Sequence, residues 1–170
     1  MLKLKPEKKN LKWNFKCLCD SDYAGDKDTR LSVTGYCVYV NDCLISWKSR
    51  AQRCNTLSST EAEYVALSEI CCEILFVRQV LEFLGEKINY PITVHCDNVG
   101  AIYLAYNAKI SNRTKHVDTR IHFVRNYVEN NVIKITFVRS EDNDADVFTK
   151  NVSENLFNKH TEKFMSKEFN

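Results

Sequence analysis

Four acidic residues stand at the ends of elements that a compact fold would bring together: Asp20, Glu63, Asp97 and Asp146. Asp20 closes a strand-like run that starts at Asn14, and Glu63 falls in the first turn of a long helical stretch. Asp97 closes a short strand that starts at Ile92, and Asp146 falls in the first turn of a late helix. Carboxylates gathered in one place repel each other and cost stability unless a cation joins them. A cluster of this kind is the cradle of hard divalent metals acting on phosphate esters, so these positions predict metal-dependent nuclease chemistry.

Each acid also has a plainer role to set beside that one. Glu63 near a helix start would interact favourably with the macrodipole. Asp97, followed by Asn98, could cap the next helix, and Asp146 could be a first-turn charge. Helix phase separates Glu63 from its neighbour. The apolar residues Leu67, Ile70, Ile74, Val77, Leu81 and Leu84 form one stripe, and four steps back from Leu67 lies Glu63. Glu61 is rotated about 200° away, which assigns it to a capping box with Ser58. Asp22 is placed in a turn, and Asp118 is expected to support the site residues from behind or to play a structural role.

The elements that must position these acids follow from the pattern. Residues 1–11 are basic and aperiodic, a tail or a linker remnant. Trp13 to Asp20 alternates as a strand, and Asp22 to Arg30 reads as a turn. Gly35–Val40 and Cys43–Lys48 are rich in β-formers and are joined by Asn41-Asp42, a tight hairpin. A helix is predicted from Ser59 to Leu84 with Gly85 just past its end. Then come a strand (Ile92 to Asp97), a helix (Asn98 to Tyr106) and a polar loop (Ser111 to His116). After these come a helix (Val117 to Asn130) with Ile121, Val124 and Val128 on one face, and a strand (Val132 to Val138). Asp142 or Asp144 is expected to cap the helix carrying Asp146. An amphipathic helix, Ser153 to Met165, closes the pattern with Leu156, Phe157, His160 and Phe164. Trp47 and Tyr103 are expected in the core. The order predicts an α/β (mixed α+β) fold, a five-stranded mixed sheet flanked by helices, with Asp20 and Asp97 ending adjacent parallel strands.

Composition narrows the classes. The chain has 170 residues and a net charge of +2, so nucleic-acid contacts must come from local patches. No apolar run reaches the roughly 20 residues of a membrane span, and the Lys-rich start is not a secretory signal. The eight cysteines contain no CxxC pair, which predicts buried thiols in a reducing compartment and no disulfide partner.

At this point the residues resemble a family. CDSDYAGD (19–26), GYCVYV (35–40), ISWKS (45–49), LSSTEAEYVAL (57–67), VHCDN (94–98), SNRTKHVDTRIHFVR (111–125) and DADVFTK (144–150) resemble, in order, the ribonuclease H domain of Ty1/copia-type retrotransposon Pol polyproteins. The resemblance covers residues 14 to 150. It implies an RNase H-like fold over residues 12–152, with 153–170 a C-terminal helix and tail. It also implies cleavage of the RNA strand of RNA–DNA hybrids, with Asp20, Glu63, Asp97 and Asp146 as the catalytic and metal-binding acids.

Two Mg²⁺ ions, with Mn²⁺ as substitute, would serve the hydrolysis. The loop Arg139 to Asn143 lacks the histidine that many cellular members hold before the last Asp. Ser58, Ser59 and Asn98, and the basic clusters Lys48, Arg50, Arg53 and Arg113, Lys115 with His116, are candidate contacts to the nucleic acid. His116 is an unfavoured ligand for a hard cation. The expected partners are the hybrid and a reverse-transcriptase domain upstream in the polyprotein. The expected setting is intracellular, cytoplasmic within a virus-like particle or nuclear. An RNase H-like module that tethers a polymerase without cutting is the alternative.

Overall fold

The computed structural model describes residues 13–107 and 118–165. The basic tail 1–11 and the loop carrying Arg113, Lys115 and His116 lie outside the described residues.

Five strands form one mixed sheet: β1 (Phe15–Asp22), β2 (Val33–Val40), β3 (Cys43–Ala51), β4 (Ile92–Cys96) and β5 (Ile133–Phe137). Their spatial order is β3-β2-β1-β4-β5. β1 runs antiparallel to β2 and parallel to β4, and β4 runs parallel to β5. The β2–β3 hairpin turns on Asn41 and Asp42, both at positive φ (48° and 64°), as the Asn-Asp pair predicts. Asn41 also accepts the Asn14 amide at 3.0 Å through its side-chain oxygen, which fixes the start of β1.

β1 is the central strand, and it is covered on both faces. Cys17, Leu18, Cys19 and Asp20 are all buried in succession, so the strand is not a half-wet alternating one. Cys17 and Cys19 face the main core with Tyr36, Val38, Leu67, Ile70, Ile74, Val94 and Ile121. Leu18 faces a smaller core with Cys37, Tyr39, Leu44, Ala145 and Phe164. Each fully buried Leu or Ile contributes about 1.5–3 kcal/mol.

Helix α1 (Ser59–Phe83) crosses the first face. Ser58 is its N-cap, accepting the Glu61 amide at 3.2 Å, while Glu61 Oε2 accepts the Leu57 amide at 2.7 Å. It ends in a Schellman pair: Gly85, at φ 79°, donates to Glu82 O, and Glu86 donates to Leu81 O, each at 3.0 Å. Helices α2 (Val99–Tyr106) and α3 (Asp118–Glu129) complete that layer, and α4 (Glu154–Thr161) packs against the turn Asp144–Phe148, with His160 bonded to Asp144.

Several sequence expectations need correction. β1 runs two residues past Asp20, and β3 reaches Ala51 rather than Lys48, so Arg50 lies on the strand rather than after it. The α1 stripe is buried from Leu67 to Ile74 only; Val77 and Leu81 are half-exposed, and Leu84 is exposed. The helix starts at Ser59 as expected, which makes Glu63 its fifth residue, just past the first turn rather than in it. Glu61 is buried like Glu63, held by its cap rather than turned to solvent. Asn143, not Asp142 or Asp144, caps the next turn, accepting the Ala145 amide. That turn, Asp144–Phe148, is a 3₁₀ helix. Trp47 and Tyr103 are exposed (50% and 57%) because they stand on an edge strand and a short outer helix. None of the eight cysteines is in a disulfide, and five are buried, but Cys72 is exposed. No helix among the described residues is long and apolar enough to cross a membrane.

Candidate active site

The parallel pairing of β1 with β4 sets Leu18 beside His95. Two residues on, that register carries Asp20 beside Asp97, just past the last residue of β4. Asp146 reaches the same edge from the 3₁₀ turn on the opposite layer. Ligand oxygens of Asp20, Asp97 and Asp146 all lie within 4.8 Å of one another. Glu63 enters from α1 and makes a second such group with Cys96 and Asp97. The four sequence-selected acids are therefore neighbours at one end of the sheet.

The close approach of the 3₁₀ turn depends on a glycine. Asp20 pairs across the ladder with Gly35. A Cβ on Gly35 would lie 2.5 Å from Thr149 Cγ2 and 2.9 Å from Ala145 O. Only a bare backbone lets the turn settle on the sheet. Asn143 Nδ2 then donates to Cys19 O at 2.9 Å, tying the turn to the residue before Asp20.

The acids are held by specific partners. Glu63 Oε1 accepts both the Ser21 amide (3.0 Å) and the Ser21 hydroxyl (3.1 Å). Asp97 accepts the Ser140 hydroxyl at 2.6 Å. Asp20 Oδ2 accepts the Thr149 hydroxyl, and Lys150 Nζ stands 3.0 Å from Asp146 and 3.5 Å from Asp20. Asp146 Oδ1 is buried and finds no hydrogen-bond partner among the described residues. Ser21, Ser140, Thr149 and Lys150 were not singled out from sequence. Lys150 carries a signal in hindsight, since it lies four residues after Asp146.

Burial and crowding hold protons on the cluster. Burial, then Cys96, Asp20 and Asp97, push Glu63 up to about 10. Burial and then Asp20 push Asp146 up to about 7. Burial raises Asp20 as well, against the opposing pull of Thr149 and Lys150. Burial alone would lower Lys150, but Asp20 and Asp146 beside it outweigh that and raise it. Three carboxylates, one with an orphaned buried oxygen, make an all-oxygen donor set that suits a hard divalent cation. Cys96 beside Glu63 is soft and does not extend that set.

The remaining expected contacts are spread around this edge. Ser58 is committed to its capping bond, while Ser59 is exposed on the first turn of α1. Asn98 is the N-cap of α2, accepting the Ala101 amide at 2.9 Å and facing Thr60 Oγ1 at 3.5 Å. The starts of α1 and α2 thus meet beside the acids. Arg50 and Arg53 are exposed. Lys48 is drawn into an ion pair with Glu69 at 2.8 Å and lies over the Tyr36 ring, so it is turned toward α1.

Comparison with known proteins agrees with this architecture. LC11-RNase H1, isolated from compost by a metagenomic approach, superposes with a TM-score of 0.60 at 11% identity, over 80% of this chain and 92% of that one. The same protein in complex with an RNA/DNA hybrid gives 0.55 at 12% identity, over 80% and 94%. The fold defines the class: this is a ribonuclease H-like α/β domain. No protein-family model matches the chain. The retrovirus-related Pol polyprotein from transposon RE1 of Arabidopsis thaliana is 39% identical over 138 residues, 81% of this chain and 9% of the polyprotein. That from transposon TNT 1-94 of Nicotiana tabacum is 40% identical over 138 residues, 81% of this chain and 10% of the polyprotein. Over most of its length the chain is therefore a homologue of segments of copia-type transposon Pol polyproteins. It spans about a tenth of the length of those relatives.

Proposed function

We propose that the chain is an endoribonuclease that cleaves the RNA strand of RNA–DNA hybrids during retrotransposon reverse transcription, joined in its polyprotein to a reverse-transcriptase domain. The observation that carries this reading is the meeting of Asp20, Asp97 and Asp146 within 4.8 Å, with Glu63 beside them. The structural neighbour LC11-RNase H1 has been seen with an RNA/DNA hybrid, which supports the choice of substrate.

Asp20, Asp97, Asp146 and Glu63 would hold two Mg²⁺ ions, which when bound supply an activated water and charge stabilisation for phosphodiester hydrolysis. The chain's own residues orient and bind. Ser21 fixes Glu63, Ser140 fixes Asp97, and Thr149 fixes Asp20. Lys150 offsets part of the negative charge and lies within reach of an incoming phosphate. Ser59 and Asn98, at the adjoining helix starts, offer amides and hydroxyls to the backbone of the hybrid. Arg50 and Arg53, with Arg113 and Lys115, provide phosphate contacts. Recognition of the RNA strand rests on its 2′-hydroxyls in the wide minor groove.

The test is a hybrid labelled on one strand at a time, incubated with the chain and Mg²⁺ or with a chelator. Cutting confined to the RNA strand and abolished by the chelator is expected. Hybrid binding by folded protein with no cutting would instead favour a tethering module.

A further inference from the structure

One ammonium serves two of the four acids. Lys150 Nζ lies 3.0 Å from Asp146 Oδ2 and 3.5 Å from Asp20 Oδ2, and among the described residues no other cation forms an ion pair with the cluster. Glu63 and Asp97 are held by neutral donors instead, Ser21 and Ser140. The nearby carboxylate of Asp144 makes the contrast, with Lys163, Lys16 and His160 all gathered on it. Asp144, which takes no part in the cluster, is thus paired several times over, while four acids share a single ammonium.

That ammonium serves the cluster incompletely. Asp146 Oδ2 faces Lys150, yet Oδ1 of the same carboxylate is buried without a hydrogen-bond partner among the described residues. A lysine carries one positive charge on a compact, strongly hydrated group. A hard divalent cation takes several carboxylate oxygens at once. The two compete for Asp20 and Asp146, because two cations brought to the same oxygens repel each other. Lys150 is placed so that it can give way. Its amide donates to Asp146 O at 3.2 Å, which anchors the backbone. Its side chain is 38% exposed, so the ammonium can turn to water without unpacking the turn.

We propose that Lys150 is a resident counter-cation that occupies the Asp20–Asp146 half of the cluster and is displaced when a divalent cation loads there. The Glu63–Asp97 half carries no such competitor among the described residues. This role rests on the metal-binding reading of the four acids and adds to it the residue that sets how tightly the site loads. Its test reads binding and stability, not cleavage.

Mn²⁺ is titrated by calorimetry into the parent chain, Lys150→Met, Lys150→Gln and Lys150→Arg. One pH of about 8 is used, where proton uptake by Asp146 does not mask the effect. Lys150→Met and Lys150→Gln should bind Mn²⁺ at least about fivefold more tightly than the parent, and Lys150→Arg, which keeps the charge, should stay within about twofold of it. Lost structure weakens binding, so misfolding does not produce such a gain. Melting curves give a second readout. Lys150→Met should melt below the parent in chelator, where Asp20 and Asp146 lose their shared ion pair. The gap should close or reverse in saturating Mn²⁺, because tighter binding adds more stability. Mn²⁺ affinity of folded Lys150→Met and Lys150→Gln equal to or below the parent's would overturn the proposal, as would a melting difference that saturating Mn²⁺ leaves unchanged. Either outcome leaves the metal-binding reading of the acids standing. Failure of the parent and all three variants to bind Mn²⁺ would remove that reading, and the proposal with it.

Discussion

Gly35 and Thr149 are packed so closely that a single methyl group on the glycine would lie 2.5 Å from Thr149 Cγ2. They are distant in sequence, yet their contact decides where Asp146 can sit. Gly35 is the cross-strand partner of Asp20, and Thr149 both follows Asp146 on its turn and donates to Asp20. The bare backbone at position 35 is thus a condition for the cluster. The nearby carbonyl of Ala145, 2.9 Å from the same hypothetical methyl, cannot swing aside as a flexible side chain would.

Gly35→Ala should therefore lift the 3₁₀ turn from the sheet. Overpacking of this kind costs about 1–3 kcal/mol. The expected result is a melting temperature lower by roughly 2–10 °C. Mn²⁺ binding, followed by calorimetry, should weaken as Asp146 moves away from Asp20 and Asp97. Unchanged Mn²⁺ affinity would show that the turn does not set the cluster.

Stability without metal should depend on pH in a definite direction. Burial first, and then neighbouring groups, raise Glu63 from an ordinary 4.5 to about 10 and Asp146 from 3.8 to about 7. The folded state then binds more protons than the unfolded chain between those limits. The stabilisation is fully present below the unfolded values and is lost as pH rises through the folded ones. Melting in chelator should fall from about pH 5 to about pH 9, and Glu63→Gln should flatten most of that slope. Saturating Mg²⁺ should raise the melting temperature more at the alkaline end, because binding displaces protons. A flat profile for the unsubstituted chain in chelator would contradict this assignment.

A buried ion cluster anchors the turn from its other side. Asp144, fully buried, sits 2.6 Å from His160 Nδ1, with Lys163 on the same carboxylate oxygen and Lys16 3.6 Å away. His160→Leu removes one partner and leaves the carboxylate under-satisfied; breaking such a buried pair costs about 3 kcal/mol. Thermal unfolding should drop by roughly 6–12 °C. Phe157→Ala, half-exposed on the same helix, should stay within about 0.5 kcal/mol of the parent. Equal losses from both changes would remove the special role of the Asp144 cluster.

Much of this architecture was legible from residues alone, and the failures have physical causes. The alternation around Cys17 and the Asn41-Asp42 turn located the first three strands, and the stripe ending at Ile74 set the phase that turned Glu63 inward. The stripe misled beyond Ile74 because a 25-residue helix, about 37 Å long, outreaches strands of five to nine residues. Val77, Leu81 and Leu84 have no sheet left to cover. Trp47 looked like a core residue because composition carries no information on which strand is the edge. The cap of the 3₁₀ turn fell to Asn143 rather than to its acidic neighbours because Asn can accept the Ala145 amide and donate to Cys19 O together. The supporting residues Ser21, Ser140 and Thr149 were hidden, since their roles come from contacts across the fold and not from local pattern.

The central claim is that Asp20, Glu63, Asp97 and Asp146 act as one metal-binding unit in RNA-strand cleavage. The direct measurement is the rate of Mg²⁺-dependent cutting of an end-labelled RNA–DNA hybrid by the parent chain and by Asp20→Asn, Glu63→Gln, Asp97→Asn and Asp146→Asn, each checked for folding by its melting curve. The four variants should fold and bind hybrid but cut at least about 100-fold more slowly, with losses that do not add when two are combined. A folded Asp20→Asn or Asp97→Asn that cuts at the parent rate would contradict it.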